Sequence, residues 1–181
     1  NNGILYVKEL EKNNIHRQYL KILEERGEVI RVIKGLYVAP DKDINEFFIM
    51  GERYKTGIFS HNTALYFYHL TDRTPMSLDM TFPSNVRVNN DFLEPHYIKP
   101  ELHSLGETTL KLEDGTNIKI YDLERTICDI IRDRNKIDPQ IFNTAMKEYF
   151  KSNKRNLNLL YKYAKNLKID KILKKYMEVL D

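Results

Sequence analysis

The sequence predicts an α+β fold, in which a small N-terminal domain precedes a larger mixed domain made of a small sheet and a C-terminal helical bundle. Three features predict it. The first forty residues combine short helical patterns with a strand hairpin, the middle of the chain carries short strands, and residues 122–180 place apolar side chains at helical spacing. We expect residues 1–42 to form the first domain and residues 43–181 the second.

The N-terminal segment orders its elements as two helices and a hairpin. Residues 7–13 and 15–26 have the patterns of short helices, and an Asn-Asn pair marks the turn between them. Strand patterns follow at residues 28–33 and 36–39, joined by a tight Lys-Gly turn. Helix, turn, helix and hairpin is the order of a winged helix-turn-helix, so we predict that fold here.

The second predicted helix carries polar side chains suited to DNA. Ile15, Leu20 and Leu23 are expected to face the core, which directs the polar residues outward. In such motifs the start of this helix reaches base edges, where arginine pairs with guanine and glutamine with adenine. Cations on the hairpin would touch phosphate. The predicted DNA contacts are His16, Arg17, Gln18, Tyr19 and Lys21 on the helix and Arg31 and Lys34 on the hairpin.

The charge of this segment leaves an alternative open. Residues 1–42 carry a net charge of +2, which is modest for a DNA-binding domain. Winged helices also act as protein-interaction modules, and the residues alone do not separate the two uses.

Short strands predict a small sheet in the second domain. A helix over residues 44–54 precedes them, and Ser60 is expected to cap a helix over residues 61–69. We expect the second strand to be half-buried and the third, bounded by prolines, to lie at a sheet edge. The predicted strands are residues 58–60, 77–82, 95–100, 108–112 and 117–121, of which the last two form a hairpin around Asp-Gly.

The chain ends in amphipathic helices that carry most of its positive charge. Asp122 and Asp138 are predicted N-caps. Residues 147–176 hold ten lysines and arginines against two acidic residues, a net charge of +8 that suggests an anionic partner. Solvated lysines on outer helix faces are the alternative. The candidate nucleic-acid surface is Lys147, Lys151, Lys154, Arg155, Lys162 and Lys165. We expect Tyr149, Tyr161 and Tyr176 to pack in the core rather than to stack on bases.

Several functional classes find no support in the sequence. A single cysteine, Cys128, excludes an internal disulfide, and the longest apolar run of five residues is too short for a membrane span, so we expect a cytoplasmic protein. His61 and His69 have no acidic partner on the same helical face, and His96 and His103 are expected on irregular segments. No metal, cofactor or enzymatic activity is therefore expected.

Three segments carry a resemblance to a known family. They are residues 3–40, with Gly-Glu before the hairpin and Lys-Gly-Leu-Tyr-Val closing it, Phe-Ser-His-Asn-Thr-Ala-Leu-Tyr at residues 59–66, and Tyr-Asp-Leu-Glu-Arg-Thr-Ile-Cys-Asp at residues 121–129. In combination they resemble the AbiEi-family antitoxins over nearly the whole chain. Family members usually begin with a helix before the Gly-Ile-Leu segment, so we expect that helix to be missing here.

The resemblance implies an antitoxin of a type IV toxin–antitoxin system in phage abortive infection. Such a protein represses its own promoter by binding inverted repeats in double-stranded DNA. It also counters a nucleotidyltransferase-like toxin, typically without a stable complex between the two proteins. The first domain would bind DNA and the second would neutralise the toxin. Glu124, Arg125 and Thr126 would orient a helix against the sheet.

Two other functions stay open. A winged-helix regulator with a ligand-sensing second domain predicts an apolar pocket within residues 44–146. A metal-dependent nuclease-like enzyme predicts that Asp79 clusters with other carboxylates around a divalent metal.

Overall fold

The structure is a computed structural model that describes residues 3–180, with side chains described up to residue 178. The described residues form a mixed α+β fold with two sheets and nine helices. Internal contacts divide the chain into two units, one running to Arg53 with Leu112–Thr116, the other holding Tyr54–Lys111 and the rest from Asn117. The division expected after residue 42 stays a prediction.

The first unit contains a three-stranded antiparallel sheet and three helices. Its core packs Leu10, Leu20 and Tyr37 together. The strand order is β1-β3-β2, so the first strand pairs with the far arm of the later hairpin. The elements are β1 (Ile4–Tyr6), α1 (Val7–Lys12), α2 (Gln18–Glu25), β2 (Ile30–Ile33), β3 (Leu36–Val38) and α3 (Glu46–Arg53).

Helix α2 begins later than the sequence pattern predicts. It starts at Gln18 rather than at Ile15, and Ile15 is 42% exposed instead of facing the core. The cause is the tight turn after α1. Asn14 adopts a left-handed conformation with φ 56°, the Ile15 amide donates to the Leu10 carbonyl at 2.9 Å, and His16 Nδ1 accepts from the Gln18 amide at 3.2 Å. These bonds hold Ile15 in the turn, and Leu20 is the buried anchor of α2 as predicted.

The second unit is built on a five-stranded mixed sheet of order β6-β5-β4-β8-β7. The proline-flanked strand lies at its edge and the last two strands form an antiparallel hairpin, which confirms both predictions. β5 is buried on both faces rather than one. Asp79 and Thr81 are buried along with Leu78, Met80 and Phe82, and they form hydrogen bonds with Thr63 and Ser60. The strands are β4 (Ile58–Phe59), β5 (Leu78–Pro83), β6 (Leu93–Ile98), β7 (Glu107–Lys111) and β8 (Asn117–Tyr121).

Six helices complete this unit. α6 is their centre, since it packs against α4, α7, α8 and α9 and is buried over most of its length. Both predicted caps are confirmed: Asp122 accepts from the Arg125 amide at 2.8 Å, and Asp138 from the Gln140 amide at 2.7 Å. The helices are α4 (His61–Phe67), α5 (Pro100–His103), α6 (Leu123–Arg132), α7 (Pro139–Lys151), α8 (Leu157–Asn166) and α9 (Asp170–Leu180). None of the described helices is long and apolar enough to cross a bilayer.

Candidate functional sites

The predicted DNA contacts of the first unit lie at its surface. His16, Arg17, Gln18, Tyr19 and Lys21 are exposed at the start of α2 or just before it. Arg31 on β2 and Lys34 in the hairpin turn are exposed as well. All seven side chains can therefore meet a partner from solvent.

Two of these cations already have acidic partners within the unit. Arg17 Nε donates to Glu11 Oε1 at 2.6 Å, and Lys21 Nζ lies 3.8 Å from Glu25 Oε1. Both pairs are largely exposed, so each contributes at most about 1 kcal/mol and can exchange partners. Arg17 must leave Glu11 before its guanidinium can pair with a base.

The same region also presents apolar side chains. Tyr19 is 59% exposed, Ile22 38% and Ile30 49%. Tyr19 and Ile22 belong to α2 with Gln18 and Lys21, so the exposed side of α2 is mixed rather than purely basic.

The basic C-terminal residues are all on the surface, as their composition suggests. Lys147, Lys151, Lys154, Arg155, Lys162 and Lys165 are exposed on or between α7 and α8. The expectation that Tyr161 is a core residue is wrong. α8 buries Leu160, Tyr163 and Ala164, which turns Tyr161 outward, where Lys165 Nζ lies 4.8 Å from its ring centre.

A cavity in the second unit brings together polar residues that lie far apart in the sequence. It has a volume of about 360 Å³ and opens beside the parallel strands β5 and β6 and the end of α6. Its polar lining includes His61, Asn62, Asp79, Glu94, His96, Arg132 and Asp133. Asp79 is therefore not isolated from other carboxylates.

His61 is the most constrained residue of this cavity. It is buried at the first position of α4, with a left-handed backbone φ of 45°. Its Nδ1 lies 3.0 Å from Ser60 Oγ and its Nε2 lies 3.1 Å from Asp133 Oδ2. The acidic partner comes from the loop after α6, 72 residues away, and not from the helical face on which His61 and His69 were expected to lack one.

Ser60 does not cap α4 with its side chain, contrary to the prediction. Its hydroxyl accepts a hydrogen bond from Thr81 Oγ1 at 2.8 Å and contacts the His61 ring. The buried strand β5 thus competes with the helix for this hydroxyl and ties it to the cavity.

His96 stacks on His61. It lies on strand β6, not on an irregular segment as expected, and its Nε2 is 2.7 Å from Asp79 Oδ1. The two imidazole rings are nearly parallel, with centroids 3.5 Å apart and planes 13° apart. Each histidine therefore has its own carboxylate, Asp133 for His61 and Asp79 for His96.

Burial and neighbouring charges set the protonation states in the cavity. Desolvation lowers the pKa of His61, and its hydrogen bond to Asp133 opposes this without reversing it. Burial acts to raise the pKa of Asp133, but the hydrogen bond from His61 and the charge of Arg132 hold it well below its usual range. At neutral pH the site presents a neutral imidazole beside an ionised carboxylate.

Three of these side chains have metal-ligating atoms close together. The ligand atoms of His61, His96 and Asp133 all lie within 4.8 Å of one another. Sequence reasoning missed this cluster because the three residues belong to a helix start, an edge strand and a loop after a helix. The only local signals were the Ser-His pair before α4 and the acidic residue in β5.

A second, more apolar cavity lies among the C-terminal helices. It measures about 770 Å³ and is lined by Phe142, Met146, Ile172 and Tyr176 with Arg134, Asn143, Lys147 and Lys175 at its polar positions. The ligand-sensing alternative predicts an apolar pocket within residues 44–146. Half of this groove's lining, Arg134, Phe142, Asn143 and Met146, lies in that range, and the other half, Lys147, Ile172, Lys175 and Tyr176, lies beyond it.

Comparison with protein-family models gives no match for this chain, and comparison with curated proteins gives none either. Among solved structures it is similar to the crystal structure of the RV2827C protein from Mycobacterium tuberculosis, with a TM-score of 0.59 and 11% sequence identity. The similarity covers 90% of this chain but 66% of the length of that one. At this identity the likeness concerns the fold alone.

Proposed function

We propose that the chain is a DNA-binding autorepressor and the antitoxin of a type IV toxin–antitoxin system. Its first unit binds double-stranded DNA at inverted repeats of its own promoter, and its second unit counters a nucleotidyltransferase-like toxin without a stable complex. The sequence resemblance to AbiEi-family antitoxins supports both parts. The geometry of the first unit supports the DNA-binding part.

The observation that carries the proposal is the arrangement of the first unit. A strand, two short helices and a hairpin follow one another, and the hairpin pairs with the first strand in the order β1-β3-β2. This order and pairing are typical of winged-helix domains, in which α2 would enter the major groove. Gln18 and Lys21 on α2 and Arg31 and Lys34 on the hairpin are exposed, which supports docking of this kind.

The second unit supports the resemblance in a different way. The segments at residues 59–66 and 121–129 that carry it are far apart in sequence, yet α4 packs on α6. His61 of the first segment also bonds Asp133, just beyond the second. The two motifs thus belong to one packed structure, as expected if they serve one function.

The test is a salt titration of binding to the DNA upstream of the chain's own gene, with a scrambled fragment as control. We expect tight binding to the promoter that weakens steeply with salt. Lys21→Ala should reduce the salt slope by about 1 and weaken binding to all sequences alike. Lys99→Ala, an exposed lysine of the second unit, is the matched control and should change neither.

Arg17→Ala separates base contact from phosphate contact. If Arg17 pairs with guanine, its loss should cost about 1–3 kcal/mol on the promoter and relax the preference for one base. Glu11→Gln removes the acidic partner and should tighten promoter binding, because Arg17 no longer has to leave it. Equal affinity for promoter and scrambled DNA in the unsubstituted chain would contradict the proposal.

A ligand-sensing regulator is the second candidate, favoured by the groove between α7 and α9. It predicts a promoter affinity that changes when a small apolar molecule occupies the groove. The antitoxin proposal predicts the same promoter affinity with and without that molecule.

Co-expression tests the antitoxin part of the first proposal directly: the chain should restore growth of cells that express the neighbouring toxin gene.

A further inference from the structure

We propose that His61, His96 and Asp133 bind one divalent first-row transition metal ion, such as Zn²⁺, in the cavity beside β5 and β6. This site lies in the second unit and goes beyond the DNA binding proposed for the first. It rests on four observations: the spacing of the ligand atoms, the partners of the two imidazoles, a strained backbone, and a buried oxygen without a partner.

The spacing of the ligand atoms fits a tetrahedral ion. Zn–N and Zn–O bonds of about 2.0–2.2 Å place neighbouring ligand atoms about 3.3–3.6 Å apart. His61 Nε2 and Asp133 Oδ2 are 3.1 Å apart, so the ion can replace the proton between them. Arg132 Nη2 donates to the same oxygen at 3.0 Å, and the ion would share that oxygen with it. The ligand atom of His96 lies within 4.8 Å of both. To bind the same ion, the His96 ring has to turn out of its stack on His61, because the ring nitrogens of two nearly parallel rings do not converge on one point.

Each imidazole already has a partner for its other nitrogen. Histidines that bind metals almost always donate the second ring N–H to a carboxylate, carbonyl or water, which fixes the ring. His96 Nε2 is 2.7 Å from Asp79, and His61 Nδ1 is 3.0 Å from Ser60 Oγ. Asp79 is itself held in place, because its backbone amide donates a hydrogen bond to Thr63 Oγ1 at 2.8 Å.

The backbone at His61 has a strained conformation of the kind found at functional sites. A non-glycine residue with positive φ carries a cost of order 1–3 kcal/mol, and such residues cluster at functional sites. His61 has a φ of 45°, and its ring stacks on His96 and bonds Asp133.

One buried oxygen atom of a residue that lines the cavity lacks a hydrogen-bond donor among the described residues. Asn62 Oδ1 has no hydrogen-bond partner within the part of the chain that the structure describes, and Asn62 lines the same cavity. A three-ligand site keeps at least one coordination position for water. A metal-bound water can donate to this amide oxygen once the Asn62 side chain turns it toward the cavity, because the oxygen itself is buried.

The donor set selects the class of ion. Two imidazoles and one carboxylate suit Zn²⁺, Co²⁺, Fe²⁺ or Ni²⁺, whereas Mg²⁺ and Ca²⁺ prefer oxygen ligands. Cys128 takes no part, because it is buried in α6 with its thiol directed at the Leu160 carbonyl, 3.6 Å away. The site is therefore free of thiolate.

The test is a Co²⁺ titration of the full chain without a histidine tag, followed by visible absorption and by thermal unfolding. We expect one Co²⁺ per chain, displaced by Zn²⁺, with no thiolate charge-transfer band, and a rise in the unfolding temperature. Mg²⁺ should produce neither effect. His96→Gln and Asp133→Asn remove ligands, and Asp79→Asn removes only the partner of His96.

We expect the variants to lose Co²⁺ affinity to different degrees. Asp79→Asn should weaken Co²⁺ binding about 10–100-fold, and either ligand variant should weaken it further. His16→Gln, at an exposed histidine of the first unit, should bind as the unsubstituted chain does. Circular dichroism without metal checks that each variant folds. If Asp133→Asn does not fold, the Co²⁺ affinity of His96→Gln alone decides the proposal. Absence of stoichiometric Co²⁺ binding, or unchanged affinity in His96→Gln, overturns the proposal.

Discussion

Among single residues, Arg125 shows how the second unit uses a buried charge. Its side chain is fully buried on α6, where Nε donates to Asp129 Oδ2 at 3.1 Å and Nη1 donates to the Leu102 carbonyl at 3.0 Å. The guanidinium carbon also lies 4.0 Å from the centre of the Tyr121 ring. Glu124 and Arg125 are adjacent in the sequence, and both are buried because each finds polar partners there.

Replacing Arg125 should therefore be costly. Arg125→Met leaves the buried Asp129 with Arg132 as its remaining ion-pair partner, at 3.0 Å. Breaking a buried pair from one side costs about 3–5 kcal/mol, and we expect a loss of that size in the free energy of unfolding measured with urea. Arg87→Met, at an exposed arginine, is the control and should change it by less than about 0.5 kcal/mol. A loss no larger than the control's would show that packing, not charge, holds Arg125.

His103 gives a residue-scale prediction about pH. Burial lowers its pKa, and its hydrogen bond to the Thr81 carbonyl at 3.1 Å opposes the shift only in part. As the pH falls, His103 takes up a proton in the unfolded chain before it does so in the folded one, because its pKa is higher there. The stability that His103 contributes is therefore present above about pH 6.5, and it is lost as the pH falls to the pKa of the folded state. His103→Gln keeps a donor and should make the unfolding free energy fall less steeply between about pH 6.5 and 5. An unchanged slope would contradict the assignment.

At the scale of elements, the two predicted N-caps offer a matched comparison. Asp138 is exposed and bonds two amides of α7, whereas Asp122 bonds the Arg125 amide and also accepts from Tyr163 Oη at 2.8 Å. Loss of a cap costs about 0.5–2 kcal/mol. We expect Asp138→Ala at the low end and Asp122→Ala at or above the high end, since it also orphans a tyrosine hydroxyl. Equal losses of unfolding free energy would mean that the Tyr163 bond contributes nothing.

Local signals explain which elements the sequence could predict. The Asp-Gly hairpin of β7 and β8, the edge position of the proline-bounded strand and both caps depend on neighbouring residues, and all were predicted correctly. The start of α2 and the inner faces of β5 depend on bonds made elsewhere. A turn bond from Ile15 to Leu10 delays the helix, and α4, which packs against β5, helps to bury Asp79.

The same reason explains why the histidine cavity escaped prediction. Its residues occupy positions 61, 79, 96 and 133, and no spacing rule connects them. Parallel pairing of β5 with β6 places His96 beside Asp79, and packing of α4 on α6 places His61 beside Asp133. Only the three-dimensional fold supplies those neighbours.

For the whole molecule, the uneven distribution of charge along the chain leads to a prediction about DNA binding. The C-terminal block holds a net charge of +8, and Lys147 and Lys151 lie one helical turn apart on the exposed side of α7. Each lysine that neutralises a DNA phosphate contributes about 0.9 to the slope of log affinity against log salt. If this block touches DNA, Lys147→Gln with Lys151→Gln should reduce the magnitude of the slope by about 1.8.

Lys99 and Lys111 provide the control pair, because both are exposed in the second unit outside the basic block. Replacing them by glutamine removes the same charge from the chain, so any general effect of net charge appears in both double variants alike. A slope that falls only in the Lys147 and Lys151 variant assigns the block to phosphate contact. Equal slopes in the two variants would leave those lysines as solvated surface and confine DNA contact to the first unit.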